Sequence, residues 1–133
     1  RGLHPALLAR RGLQPSLQAL ARRSPIPVEL RVSGPRSPEP VEVATYYAVS
    51  ETLTNAIKHS RASVITIAIE STEACVRAAV QDDGIGGAAI GDGTGLSGLV
   101  DRIDALGGTL AVSSPTAGGT RIEIELPCGR SAP

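Results

Sequence analysis

The 133-residue sequence has no methionine, no tryptophan and no phenylalanine, and only two tyrosines. Its core must therefore be built from Leu, Ile, Val and Ala, which pack well when volume and pattern are kept. The scarcity of aromatics removes the stacking platforms that single-stranded nucleic acid needs. An excess of one charge is also missing. Thirteen Lys and Arg balance thirteen Asp and Glu, for a formal net charge of +0, so no basic field draws the chain to nucleic acid or anionic lipid. No apolar run approaches bilayer length, and the first residues do not resemble a signal peptide. The two cysteines, Cys75 and Cys128, follow no metal-ligand or redox spacing and read as reduced thiols of a cytosolic protein. The start at Arg1 and the lack of methionine suggest a fragment of a longer chain. Its length suits one domain.

What is present is a regular alternation of patterns. Leu13, Leu17 and Leu20, with Ala21 beside them, recur at helical spacing; Pro15 fits the first turn, and Ser24-Pro25 ends the segment. Val28, Leu30 and Val32 alternate with charged residues as in a half-buried strand. After a turn over Gly34 to Pro40, a second helix runs from about Pro40 to His59, with Tyr46, Val49, Leu53, Ala56 and Ile57 as its apolar stripe. Ser63 to Glu70 and Cys75 to Gln81 read as strands joined in a hairpin. Asp83 to Gly95 holds six of the fifteen glycines and cannot be a regular element. Leu96 to Leu106 is helical with Gly107-Gly108 as its C-cap. Thr109 to Ser114 and Thr120 to Leu126 are two further strands around a Pro115–Gly119 loop. This order predicts an α/β (α+β) fold: a two-layer sandwich of about five mostly antiparallel strands on about three helices. The regular alternation of a Rossmann sheet is absent.

Four clusters carry potential chemistry. On the long helix Glu51, Asn55, Lys58 and His59 fall on one polar face. A charged face is ordinarily just solvated, but Asn is a poor helix former that brings no charge, and its amide oxygen suits a hard cation such as Mg²⁺. Asp82-Asp83-Gly84-Ile85-Gly86 follows a strand; such a segment is either a capped turn or a directed carboxylate beside a backbone that can approach a flat ligand. Gly93-Thr94-Gly95-Leu96 runs into a helix N-terminus, where free amides and the dipole favour phosphate, yet it lacks the P-loop ending and the dinucleotide context. Gly118-Gly119-Thr120 enters the last strand and alone would be a turn. Their order and spacing together are far more specific than any one of them.

In that order the clusters resemble the ATPase domain shared by histidine kinases, type II topoisomerases, Hsp90 and mismatch-repair ATPases, the Bergerat fold. Glu51 to His59 looks like its N box, Asp82 to Gly86 its G1 box, Gly93 to Leu96 its G2 box, and Gly119-Thr120 its terminal motif, over roughly residues 38 to 127. Gly98 to Gly108 and Gly2-Leu3-His4-Pro5 resemble sensor kinases of the nitrate-sensor and desaturase-sensor kind. The resemblance implies ATP and Mg²⁺ as ligands. Asn55 would ligate the metal, with Glu51 near it as a catalytic group. Lys58 and His59 would reach the phosphates or the lid. Asp82 would accept the adenine amino proton, with Thr120 completing that end of the pocket. Gly84, Gly86, Gly93 and Gly95 would hinge a brief lid from about Ile85 to Asp92, Leu96 would also be a nucleotide-binding residue, and affinity for ATP would be modest.

The implied organisation is a linker and first helix over residues 1–24, following absent dimerisation and phosphoacceptor helices, then a catalytic domain over 25–128 and a tail over 129–133. His4 would be a linker residue, the phosphorylated histidine lying upstream. The implied partners are that helical domain in a homodimeric full-length kinase and a response regulator, with no nucleic acid; the fragment itself would be monomeric and bind ATP without phosphorylating itself. It would be a cytoplasmic domain of a membrane-attached sensor. An anti-sigma-factor serine kinase of the same fold is the alternative, but Leu106-Gly107-Gly108 and Gly2 to Pro5 fit a sensor kinase better.

Overall fold

Helix α1 (Leu13–Arg22) opens the part of the chain described by a computed structural model, which covers residues 11–59, 61–85, 96–114 and 119–129. Leu13 and Leu17 are buried, and Leu20 packs against the core from its margin, as their helical spacing predicts. Buried Ser16 is tolerated because its hydroxyl donates to the carbonyl of Gly12, one turn back, at 3.2 Å. The helix ends at Arg22, and the Ser24 hydroxyl then accepts from the Ile26 amide at 3.1 Å and so turns the chain into the first strand.

Strand β1 (Val28–Ser33) leads into the long helix α2 (Glu39–His59). Glu39 and Glu42 stand in the first turn of α2 and Lys58 and His59 in the last, a distribution that complements the helix dipole. The buried face holds Tyr46, Ala48, Val49, Leu53 and Ala56, and also Glu42, Thr45 and Thr52. The two threonines bury at no hydrogen-bonding cost. Thr45 donates to the Val41 carbonyl at 2.7 Å and Thr52 to the Ala48 carbonyl at 2.5 Å. Glu42 is 2% exposed and retains its place through three donors. Arg36 approaches bidentately at 2.9 and 3.0 Å, and the Ser37 amide donates at 3.0 Å. The carboxylate in turn raises the pKa of Arg36 above its ordinary value, chiefly through the hydrogen bond.

Strands β2 (Ile65–Ser71) and β3 (Cys75–Asp82) form the expected hairpin; helix α3 (Leu96–Ala105), β4 (Thr109–Ser113) and β5 (Thr120–Pro127) follow. The sheet order is β1-β2-β3-β5-β4. β1 and β2 are parallel across the α2 crossover, and the other neighbours are antiparallel, so the sheet is mixed and mostly antiparallel, as expected. Helix α3 closes on Gly107, whose φ of 79° no β-carbon-bearing residue adopts without strain. The Gly108 amide then reaches the Ile103 carbonyl at 2.9 Å, completing a Schellman closure.

Side-chain alternation gives the sheet one buried face. Register places Leu30, Ile67, Val80, Ile122 and Val112 in one row, and Val32, Ile69, Ala78, Ile124 and Leu110 in the next. α2 lies over β2, β3 and β5, α1 over β1, and α3 against α2 and β4. Leu99 and Ile103 anchor α3, and Tyr46 is the aromatic of the core. Cys128 is buried, Cys75 half-buried, and both are free. Strand alternation directs Cys75 to the open face and Cys128 to the covered one, which rules out a bond between them.

Arg36→Ala should lower stability by about 1–3 kcal/mol, because it leaves a buried carboxylate served by a single amide. The midpoint of urea unfolding should fall at unchanged slope; an unmoved midpoint would show that the pair contributes nothing.

Candidate functional site

The apolar rows of the sheet end in polar residues at one edge of the core. The row after Ile67–Val80–Ile122 is Ile65–Asp82–Thr120. Because alternation keeps every second residue on the helix-covered face, Asp82 and Thr120 point the same way as the core and are buried, at 7% and 6% exposure. Asp82 Oδ1 accepts from the Gly84 amide at 2.9 Å, so it does cap its own turn. That bond uses one oxygen, and among the described residues no donor meets the other.

The backbone of this turn is gripped from both sides. Gly119 has φ 86°, and a β-carbon there would stand on the Asp82 carbonyl oxygen, so only glycine lets the two chains approach this closely. On the other side Asp83 turns outward to the segment that precedes β2. Its Oδ1 accepts from the amides of Ser63 at 2.8 Å and Val64 at 3.1 Å, and its Oδ2 from the Ser63 hydroxyl. The Ser63 hydroxyl, then the Val64 and Ser63 amides, hold the Asp83 carboxyl below its ordinary pKa. This is also why β2 begins at Ile65 and not at Ser63: the two amides serve a carboxylate and not the ladder.

α2 carries the other candidate residues. Asn55 is half-buried near the helix end, and its side-chain Nδ2 is buried without a partner among the described residues. A buried amide nitrogen left alone costs about 1–3 kcal/mol, so its presence points to a role outside folding. Glu51, one turn earlier, and Lys58 and His59 at the end are exposed. Leu96 begins α3. Gly84 is the donor to Asp82, while Gly86, Gly93 and Gly95 lie outside the described residues. Among the described residues no cluster of three His, Cys, Asp or Glu side chains would cage a metal. Magnesium does not require one, because it keeps several waters and shares phosphate oxygens, with one or two protein ligands. Asn55 with Glu51 nearby fits that requirement.

A concavity of about 610 Å³ lies elsewhere, on the open face of the sheet. Ala68, Ala79 and Ala111 stand in one row on its floor, together with Arg31 and Glu123. Four of its charged residues pair among themselves: Arg121 meets Glu123 at 2.8 Å, with Gln81 at 2.9 Å from the same guanidinium, and Arg77 lies 3.6 Å from Glu125. Arg31 and Glu70 also line it, but the trough is open, with no buried polar group among the described residues aimed into it, and is a poor reaction site. Nothing local in the sequence relates Asp83 to Ser63, twenty residues apart.

A one-faced mixed sheet with these motifs at its edge defines an ATPase-type α/β domain. The family described as histidine kinase-, DNA gyrase B- and HSP90-like ATPases matches residues 41–130. The sensor histidine kinase NarS of Mycobacterium tuberculosis is 34% identical over 96% of this chain and 32% of its own length. The sensor histidine kinase YxjM of Bacillus subtilis is 32% identical over 91% of this chain and 30% of its own. The chain thus spans about a third of these curated relatives. Among solved structures, the blue-light activated histidine kinase EL346 of Erythrobacter litoralis superposes with a TM-score of 0.72 at 25% identity, covering 90% of this chain and 46% of that one. The ATP binding domain of PrrB from Mycobacterium tuberculosis gives 0.66 at 26%, covering 87% and 90%. The chain belongs to this ATPase family, and its relatives and solved neighbours within it are sensor histidine kinases and their ATP-binding domains. No helix among the described residues is long and apolar enough to cross a membrane.

Because the folded Asp83 carboxyl titrates low, its stabilisation is complete above the unfolded carboxyl's pKa and is lost as pH falls through the lowered one. Thermal stability should therefore fall below about pH 4, and Asp83→Asn, which cannot titrate, should show a shallower acid limb. Superimposable profiles would show that these bonds do not form in solution.

Proposed function

We propose that this domain binds Mg-ATP and supplies the γ-phosphate to a histidine on a separate helical domain of the same kinase. The observation that carries the reading is the pairing of a buried Asp82–Thr120 edge with the unpartnered Asn55 amide on the helix above it. Asp82 accepts the exocyclic amino proton of adenine through the oxygen its own turn leaves free, and the Thr120 hydroxyl completes that polar edge. Guanine would present a carbonyl to the same carboxylate, leaving a buried acceptor unpaired at about 1–3 kcal/mol.

Asn55 holds the magnesium ion through its amide oxygen, with Glu51 beside it polarising a water ligand or assisting proton transfer. Bound there, the metal neutralises phosphate charge, which is what phosphoryl transfer chiefly demands besides positioning. Lys58 and His59, exposed at the end of α2, lie where they can meet phosphates or a closing lid. The parts of Gly86, Gly93 and Gly95 as hinges of that lid, and of Leu96 in nucleotide binding, rest on the sequence resemblance alone. Residues 25–128 form the catalytic unit in this reading, and α1 connects it to the phosphoacceptor helices of a dimeric, membrane-attached kinase whose phosphate passes to a response regulator.

Titration calorimetry should show Mg-dependent ATP binding, with GTP roughly ten- to hundredfold weaker; equal affinities would sink the assignment of Asp82. Asn55→Ala should bind ATP equally with magnesium or with EDTA while keeping its circular dichroism spectrum, and normal Mg-ATP binding by that variant would remove Asn55 from the metal site.

A further inference from the structure

Asp83 makes three hydrogen bonds although its side chain is exposed, and all three reach a segment twenty residues away. That segment is the exit of α2. Ser63 lies four residues beyond His59, after Arg61, which the connection bends to φ 56°. Asp83 itself follows directly on Asp82. One carboxylate therefore ties the end of the helix that carries Asn55 to the end of the strand that carries Asp82. Opposite it, Gly119 packs on the Asp82 carbonyl. The strand end is clamped between the two, and Asp82 has little freedom to swing.

We propose that Asp83 is a positioning residue for nucleotide recognition: it latches the Asp82 turn to the α2 exit and so keeps the base-reading carboxylate in register with the phosphate-side helix. The inference rests on the adenine-site reading above. It assigns the second aspartate of Asp82-Asp83 a part distinct from the first, through geometry and not through contact with ligand. Preorganisation of this kind acts on affinity and on discrimination, since a carboxylate free to move can turn away from a mismatched base. The lowered pKa of Asp83 agrees with a latch made at neutral pH.

The test is titration calorimetry with Mg-ATP and Mg-GTP, at a temperature where circular dichroism shows every variant folded. Asp83→Ala should bind ATP about five- to tenfold more weakly and lose several-fold of the ATP-over-GTP preference. Asp83→Asn keeps an acceptor for both amides and offers a donor to the Ser63 hydroxyl, so it should recover both quantities to within about twofold. Ser63→Ala, which removes one bond of three, should shift the preference in the same direction by a smaller factor, and it serves if Asp83→Ala does not fold. A purely structural Asp83 would lower the melting temperature and leave the preference intact; that result, or an Asn variant as impaired as Ala, would overturn the proposal. Wild-type protein without preference for ATP would instead overturn the adenine-site reading, and the latch with it.

Discussion

The register between β3 and β5 is the constraint on which the rest of the domain depends. Val80 opposite Ile122 and Ala78 opposite Ile124 bring apolar side chains of both strands to the helix-covered face. The same register makes Asp82 the partner of Thr120. A slip of one residue would turn Arg121, Glu123 and Glu125 inward and send three isoleucine and leucine side chains to solvent. The cost of burying those charges without partners far exceeds that of any single contact in the domain. The polar edge of the site is thus held by the burial of its apolar neighbours.

Covering only one face of the sheet has a further consequence. α2 supplies most of the inner layer, and it can do so because Thr45, Thr52 and Glu42 bury with their hydrogen bonds already satisfied. Near its end Asn55 is half-buried, with its amide nitrogen covered but without a hydrogen-bond partner among the described residues. The open face meets its own needs differently. Small alanines stand among charged residues, two pairs of which, Arg77–Glu125 across strands and Arg121–Glu123 along β5, form ion pairs that in solvent are each worth little but keep large apolar side chains off this face. The two faces of one sheet are thereby given to different ends, a core and a neutral exterior, and the site falls where the core stops.

Much of this was legible in the amino-acid order. Strand and helix alternation, the β2–β3 hairpin, the glycine closure after α3 and the buried isoleucines all follow from periodicities within a few residues. The motif clusters around Asn55, Asp82 and Thr120 could likewise be seen in the chain, because each is a short run and their order is specific. Other features were not. Nothing local marks Glu42 as a buried acid held by Arg36 and the Ser37 amide, or Thr45 and Thr52 as buried residues. The parallel pairing of β1 with β2 is set across a long helix and has no local signature.

By itself the sequence determined which segments become helix and strand, which family the chain resembles, and which residue types stand ready for nucleotide chemistry. Those properties are encoded in local spacing, where a side chain's neighbours are its neighbours in the chain. Only the tertiary structure decided that Asp82 and Thr120 share one row, that the Asn55 amide nitrogen is buried without a partner, and that Asp83 reaches Ser63 and Val64 instead of water. Each of these is a contact between residues far apart in order, brought together by sheet register and by the packing of α2 on the sheet, and no short-range pattern carries that information.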